Sequence, residues 1–384
     1  MTLASGLRVE EVAAAGELGR YYAGWDALAE RAPGAELFET RPWVTAWLET
    51  YWEGRPLAFL FVYSGDTLVG LAPLLDDRDG EIGCPRSLVT PVNPHARRCG
   101  LLADGDPGTV MAAMLSHLEG TRRTSRMRLR CCDAASAAVT IIEGQAPRSL
   151  VRGKDPTPII RLDGGWEAYL ASRSRHLRRE LARKRKRLDL EWDAKWIGVA
   201  DPAGVERAMT DVLRIERNSW KDRQGTSMVS EPLAAAFYAR MTRSCAARGW
   251  LRIELLYLDG QPVAHLLAAV HRGTYYALKT SYDEAYRAWS PGVVLFQHAI
   301  RNAFEGGLAT FDFLGDESRW KDELANDFRH HVDACAFSGS AWRCRWDRVR
   351  VDRVKPFMEG RAPGLAALRH RVLDRSAGAP GTGE

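Results

Sequence analysis

One compound pattern occurs twice in this chain, in the same order, and it restricts the fold more than anything else in the sequence. In the first copy LAFLFVYSGDTLVGLAPLL (57–75) forms two apolar runs around a Ser-Gly-Asp turn; in the second, LRIELLYLDGQPVAHLLAAV (251–270) does the same around Asp259-Gly260. Asp-Gly between two apolar runs is a strong hairpin signal, because the turn needs residues that accept positive φ. Each hairpin is followed at a distance by a second unit, DPGTVMAAMLSHLEGTRRTSRMRLRCC (106–132) or SPGVVLFQHAIRNAFEGGLATFDFL (290–314). Asp106 or Ser290 as N-cap with proline next predicts a helix entry. Val293, Phe296, Ile300 and Phe304 then fall on one helical face, and Gly306 or Gly307 supplies a left-handed exit into a strand. The second half adds a third strand, Thr274–Tyr282, after the Arg272-Gly273 turn. The expectation is an α/β (α+β) protein of two similar halves, each a mixed, mainly antiparallel sheet flanked by helices.

A chain of 384 residues suits two domains. The expected division is 1–152, a Pro- and Gly-rich link at 153–165, a second domain at 166–355 that includes a basic helix at 172–190, and a C-terminal part at 356–384. Helices are expected over Trp166–Leu190, Pro202–Trp220 and Pro363–Arg375, with a disordered tail from Ser376. Hydrophobic residues make up 46% and charged residues 27%, with both signs dispersed, which excludes fibrous and disordered classes. The net charge of +5 fits an anionic ligand and falls short of a dedicated nucleic-acid binder. Apolar runs such as 58–63 and 266–270 are strand-sized, so no membrane span is expected. Glu10, Glu11, Glu17 and Asp26 leave no signal-peptide pattern near the start. Seven cysteines at irregular spacing, without Cys-x-x-Cys, predict neither a disulfide framework nor a metal site, and a reducing cytoplasm is the expected compartment.

The helix opening at Ser290-Pro291-Gly292 is the first candidate site. A helix N-terminus presents backbone N–H groups and the positive end of a dipole, which favour a phosphate, and Gly292 lets a ligand approach them. The same residues also make an ordinary capped helix. The surrounding order (meander, loop, helix, strand) is that of the GNAT acyl-CoA site. The stretch TYYALKTSYDEAYRAWSPGVVLFQHAIRNAFEGGLATFDFLGDESRWK (274–321) resembles GNAT acetyltransferases linked to cellulose and exopolysaccharide biosynthesis, and is more distantly similar to the Fem transferases, which add amino acids to peptidoglycan precursors. The matching features are Ser-Pro-Gly opening a helix, Gly-Gly ending it, and Asp-Phe-Leu-Gly followed by Trp320-Lys321. Weaker similarity extends over FETRPWVTAWLETYW (38–52), Gly70 to Pro73, the Trp166/Tyr169 helix and ERNSWKDRQG (216–225). One departure is the missing Arg/Gln-x-x-Gly-x-Gly/Ala signature of typical acyl-CoA-binding members. The resemblance implies an N-acyltransferase using acetyl-CoA or another acyl-CoA held at Ser290, Pro291, Gly292, Val293 and Val294. Its acceptor would be an amine on a sugar or peptide intermediate, plausible for surface-polysaccharide synthesis.

Other candidates surround that helix. Asp312 alternates with Phe311 and Phe313 in a strand, so it faces a cleft as a base if the phenylalanines are core, or solvent if they are not. Lys321 can neutralise an acidic acceptor or donor phosphate, and His265 and Tyr282 on neighbouring strands are acid/base candidates, although a histidine in an apolar strand is more often a core residue. SRSRHLRRELARKRKRL (172–188) is dominated by Lys and Arg; Arg175, Arg179 and Arg183 share one helical face and can hold an anionic substrate, or simply be solvated. Trp220 and Asp283 complete the acceptor-binding candidates. Two rival functions remain open: a Fem-like transferase taking its acyl group from aminoacyl-tRNA, with the basic helix on the RNA backbone, and a non-catalytic ligand-binding component of a polysaccharide machine.

Overall fold

The computed structural model describes residues 6–77, 87–121, 126–145, 148–315 and 319–337. The expected C-terminal helix at 363–375 and the tail after it lie outside the described residues. The chain begins with β1 (Leu7–Val12), α1 (Tyr22–Arg31) and α2 (Arg41–Tyr51). The first predicted hairpin follows as β2 (Phe59–Ser64) and β3 (Thr67–Ala72), then β4 (Leu75–Asp77), β5 (Ser87–Val89) and β6 (Leu102–Ala103). The first Pro-Gly helix is α3 (Pro107–Thr121), leading into β7 (Arg126–Asp133), α4 (Ala137–Gly144) and β8 (Ser149–Gly153).

The second half opens with β9 (Thr157–Arg161), α5 (Trp166–Ser172), α6 (Arg175–Glu191) and β10 (Ala194–Val199). Next come α7 (Pro202–Arg217), α8 (Trp220–Arg223) and α9 (Pro232–Ala246). The second hairpin is β11 (Leu251–Leu258) and β12 (Gln261–His271), continued by β13 (Thr274–Tyr282). After α10 (Pro291–Glu305) come β14 (Thr310–Asp312), α11 (Arg319–Leu324), β15 (Asp327–Arg329) and β16 (His331–Phe337).

The repeat is visible in the topology. Asp259 and Gly260 both take positive φ (47° and 76°), as a two-residue hairpin turn requires. β5 pairs parallel with β7 on either side of α3 in sequence, and β13 pairs parallel with β14 on either side of α10. The described residues form three sheets, ordered β1-β2-β3-β6, β4-β5-β7-β16-β8 and β10-β11-β12-β13-β14-β9-β15.

Two sequence expectations need correction. Residues 153–165 are not a link: Thr157–Arg161 form β9, which lies between β14 and β15 inside the seven-stranded sheet. In return β16, from the end of the second half, is inserted between β7 and β8 of the first. The halves thus exchange strands, which short runs such as TPIIR cannot announce because their pairing is entirely non-local. The helix expected over Trp166–Leu190 is two helices, because the Ser174 hydroxyl accepts from Leu177 N–H at 3.1 Å and caps a new start.

Alternation along the strands of the large sheet divides its side chains between two cores. Ile253, Leu255 and Leu267 face α7, α9 and the first half, while Leu256, Leu266 and Ala268 face α5, α6 and α10. Aromatic contacts close the joint between the halves: Phe38 meets Tyr276 edge-on and Trp43 meets Phe237, each with centroids 5.2 Å apart. In the first half α3 sits close on β3. A Cβ at Gly70 would lie 2.4 Å from Val110 Cγ1 and 3.1 Å from Val62 Cβ. Gly70→Ala is therefore expected to destabilise the fold by about 1–3 kcal/mol, read as a lower urea midpoint; an unchanged midpoint would mean that α3 is not seated there.

Candidate active site in the cleft between the halves

The large sheet splits at one place. Only Thr274–Tyr276 of β13 pair with Thr310–Asp312 of β14. Beyond that point β13 runs on to Tyr282, whereas the chain after β14 turns away through Leu314 (φ 48°) and Gly315 (φ 76°). Along β13 the register against β12 shifts: Leu267 faces Lys279 while Ala268 faces Ala277, so Leu278 is an extra, bulged residue. The splayed strands open into a cavity of about 520 Å³, whose far wall is the first half at Phe38, Pro94, His95, Arg97 and Arg98. Trp320 and Lys321 of α11 and Phe296 of α10 complete its rim.

The cavity is electropositive. Arg97, Lys221, Lys279 and Lys321 all line it, and the one carboxylate in the described lining, Glu231, holds His95 Nε2 at 2.6 Å. The lysines donate to backbone carbonyls: Lys321 to Leu314 O (3.0 Å), Lys279 to Thr226 O (2.9 Å) and Lys221 to Thr280 O. Burial, reinforced by the charges of Lys279 and Lys321, pushes the Lys221 ammonium down to about 8 against the opposing pull of Glu216.

Behind this wall His265 and Glu216 form a fully buried pair, Nε2 to Oε1 at 3.0 Å. The second Glu216 oxygen accepts from Met228 N–H at 2.8 Å and lies 3.8 Å from Lys279 Nζ. Burial alone would raise the Glu216 carboxyl, but these partners draw it down to about 2. Burial lowers the pKa of His265, and its Nδ1 has no hydrogen-bond partner among the described residues. His265 is therefore a core residue behind the cleft rather than a residue of its lining.

Asp312, expected as a base facing the cleft, does not reach it. Its side chain is completely buried, with Oδ2 and Oδ1 taken by Arg98 at 2.7 and 3.2 Å and Oδ1 also accepting from Leu314 N–H. Burial would raise its pKa, but the charge and hydrogen bonds of Arg98, the charge of Arg329 and the Leu314 N–H hold it below the ordinary aspartate range. A carboxylate so engaged cannot take a proton from an acceptor. Lys321 does line the cavity; Tyr282, Asp283 and Trp220 do not. Asp283 accepts from Ala285 N–H and Asn218 Nδ2, a local structural task. Trp220 is partly exposed beside Lys221, whose ammonium lies 5.9 Å from its ring. Arg175, Arg179 and Arg183 are exposed on α6 and none borders the cavity.

At the helix entry, Asp106 caps α3 as expected, accepting from Gly108 and Thr109 N–H. Ser290 does not cap α10: it adopts a left-handed conformation (φ 52°, ψ 48°) and makes no side-chain capping bond. Its carbonyl accepts from Val293 and Val294 N–H at 3.0 and 3.2 Å, which places the half-buried Gly292 at the open start of the helix. The sequence reading missed Arg97, Arg98, Lys221, Lys279 and Glu216 as site residues. Lys221 and Glu216 lie in the ERNSWKDRQG segment, whose charge density beside a tryptophan was the available signal.

Residues 173–322 match the family model described as the acetyltransferase (GNAT) domain. No curated protein sequence matches the chain. In shape it is similar to the crystal structure of FemX, with a TM-score of 0.58 at 13% identity over 82% of this chain and 95% of that one. It is also similar to L-PGS from Bacillus licheniformis (TM-score 0.52, 12% identity, 81% and 90% covered). A conserved protein from Bacteroides thetaiotaomicron is comparable (0.52, 13%, 82% and 97%). At these identities the likeness is one of fold. With the splayed parallel pair placed inside the matched segment, residues 173–322 match a GNAT acetyltransferase domain in sequence and carry its fold, which supports an N-acyltransferase.

Proposed function

We propose that this enzyme transfers an acyl group from acyl-CoA to an amine on an anionic acceptor held in the cleft between the halves, in keeping with a sugar or peptide intermediate of a surface polymer. The observation that carries the reading is the opening between β13 and β14 into a cavity walled by Arg97, Lys221, Lys279 and Lys321. A thioester carbonyl lying along β13 would meet the backbone at the Leu278 bulge, where an N–H released from the ladder can stabilise the developing oxyanion. The donor pyrophosphate would rest at the start of α10, on the Gly292 amide and the helix dipole. The four cations would hold the acceptor's acidic group, and amine attack on the carbonyl would need no covalent enzyme intermediate.

The test is release of free CoA from acetyl-CoA with glucosamine 6-phosphate and with glucosamine as acceptors. Faster turnover of the phosphorylated amine is expected, and equal rates would remove the role given to the cations. Its binding should also weaken as pH rises through about 8, because Lys221 then loses its charge. Gly292→Val should lower acetyl-CoA affinity about tenfold or more with the fold intact, since the new Cβ meets only Tyr282 Cδ1 at 3.4 Å. The missing glycine-rich signature favours one alternative donor, aminoacyl-tRNA. A thermal shift with charged tRNA and none with any acyl-CoA would select it.

A further inference from the structure

The basic helix α6 is left without a task by the cleft, yet its outer surface is unusual. Leu177, Leu181 and Leu188 point inward and are buried. Directly opposite, at helical spacing, Arg175, Arg179, Arg183 and Lys186 form a crest, with Arg178 at its edge, and all five are exposed. None of these five side chains makes a hydrogen bond or ion pair with a described residue. The acids of the helix are engaged elsewhere: Glu180 with Lys184 at 2.7 Å, Asp189 with Arg185 at 2.8 Å, and Glu191 with Arg187 at 3.0 Å. Leu190 continues the same crest four residues after Lys186 and is 74% exposed, more than any other large apolar side chain described.

We propose that the crest of α6 docks the enzyme on a lipid leaflet rich in acidic phospholipids. The five cations sit among the headgroup phosphates, and Leu190 enters the interface beneath them. Charge supplies most of the attraction, one leucine adds a small apolar contribution, and the association is reversible and salt-sensitive. A nucleic-acid backbone would satisfy the arginines equally well. It would, however, leave Leu190 unused, and the crest offers no aromatic ring for a base to stack on.

Co-sedimentation of the full chain with vesicles tests this. The protein is expected to partition onto vesicles of equal parts phosphatidylcholine and phosphatidylglycerol, to ignore pure phosphatidylcholine, and to be released by about 0.5 M salt. The triple variant Arg175→Gln, Arg179→Gln, Arg183→Gln should partition about 100-fold less with an unchanged circular dichroism spectrum, the replaced side chains being exposed. Leu190→Gln should cost a smaller factor. A wild-type protein that stays in the supernatant with acidic vesicles at low salt, or a triple variant that partitions normally, overturns the proposal. Tighter binding to a polyribonucleotide than to acidic vesicles also overturns it and assigns the crest to nucleic acid.

Discussion

Asp312→Ala is expected to destabilise the protein by about 3–5 kcal/mol, the largest effect of any single substitution considered. The substitution strands Arg98, which is 3% exposed and belongs to the first half, without the carboxylate that compensates it. Arg329 also loses a charge partner at 3.6 Å, though it keeps Glu36. Because Glu36 and Arg98 come from one half and Asp312 from the other, the loss falls on the joint itself. The pH dependence has a definite sign: a carboxyl with a lowered folded pKa stabilises above its unfolded value near 3.8, and the contribution disappears as pH falls below it. Urea unfolding followed by tryptophan fluorescence measures the change. A catalytic base would behave in the opposite way, losing turnover at unchanged stability, and that result would return Asp312 to the chemistry.

Glu216→Gln should come second, costing about 1.5–3 kcal/mol at neutral pH. The amide keeps the shape but withdraws the charge that faces His265, Met228 N–H and Lys279. Glu216 titrates at about 2 in the folded chain, so its contribution is complete above the ordinary carboxyl range near 4.5 and lost as pH falls toward 2. The gap between wild type and variant should therefore narrow across that window. A constant gap would show that packing, not charge, is what the variant disturbs. Since Lys279 lines the cavity, the same variant is also expected to alter acceptor binding.

Much of the second half was legible because its signals are local. Hairpin β11–β12 is written in Asp259-Gly260, and the start of α10 in Pro291 with the left-handed exit at Gly307. Short-range sterics and turn chemistry act within a few residues, so they survive in a linear reading. Alternation in ATFDFL was also correct as far as it went, but it could not say what Asp312 would meet. The carboxylate faces away from solvent onto Arg98, 214 residues distant in sequence.

The sequence by itself determined the elements of the repeat, the helix that opens at Ser290, and the basic crest of α6, each a consequence of periodicity or backbone preference over a few turns. Only the tertiary structure decided that β9 and β16 cross between the halves, that Arg97 of one half joins Lys221, Lys279 and Lys321 of the other around one cavity, and that Asp312 is a structural ion-pair partner. Those outcomes depend on strand pairing and charge compensation between residues far apart in the chain. No local propensity encodes them, because the free energy that selects them exists only once both partners have been buried together.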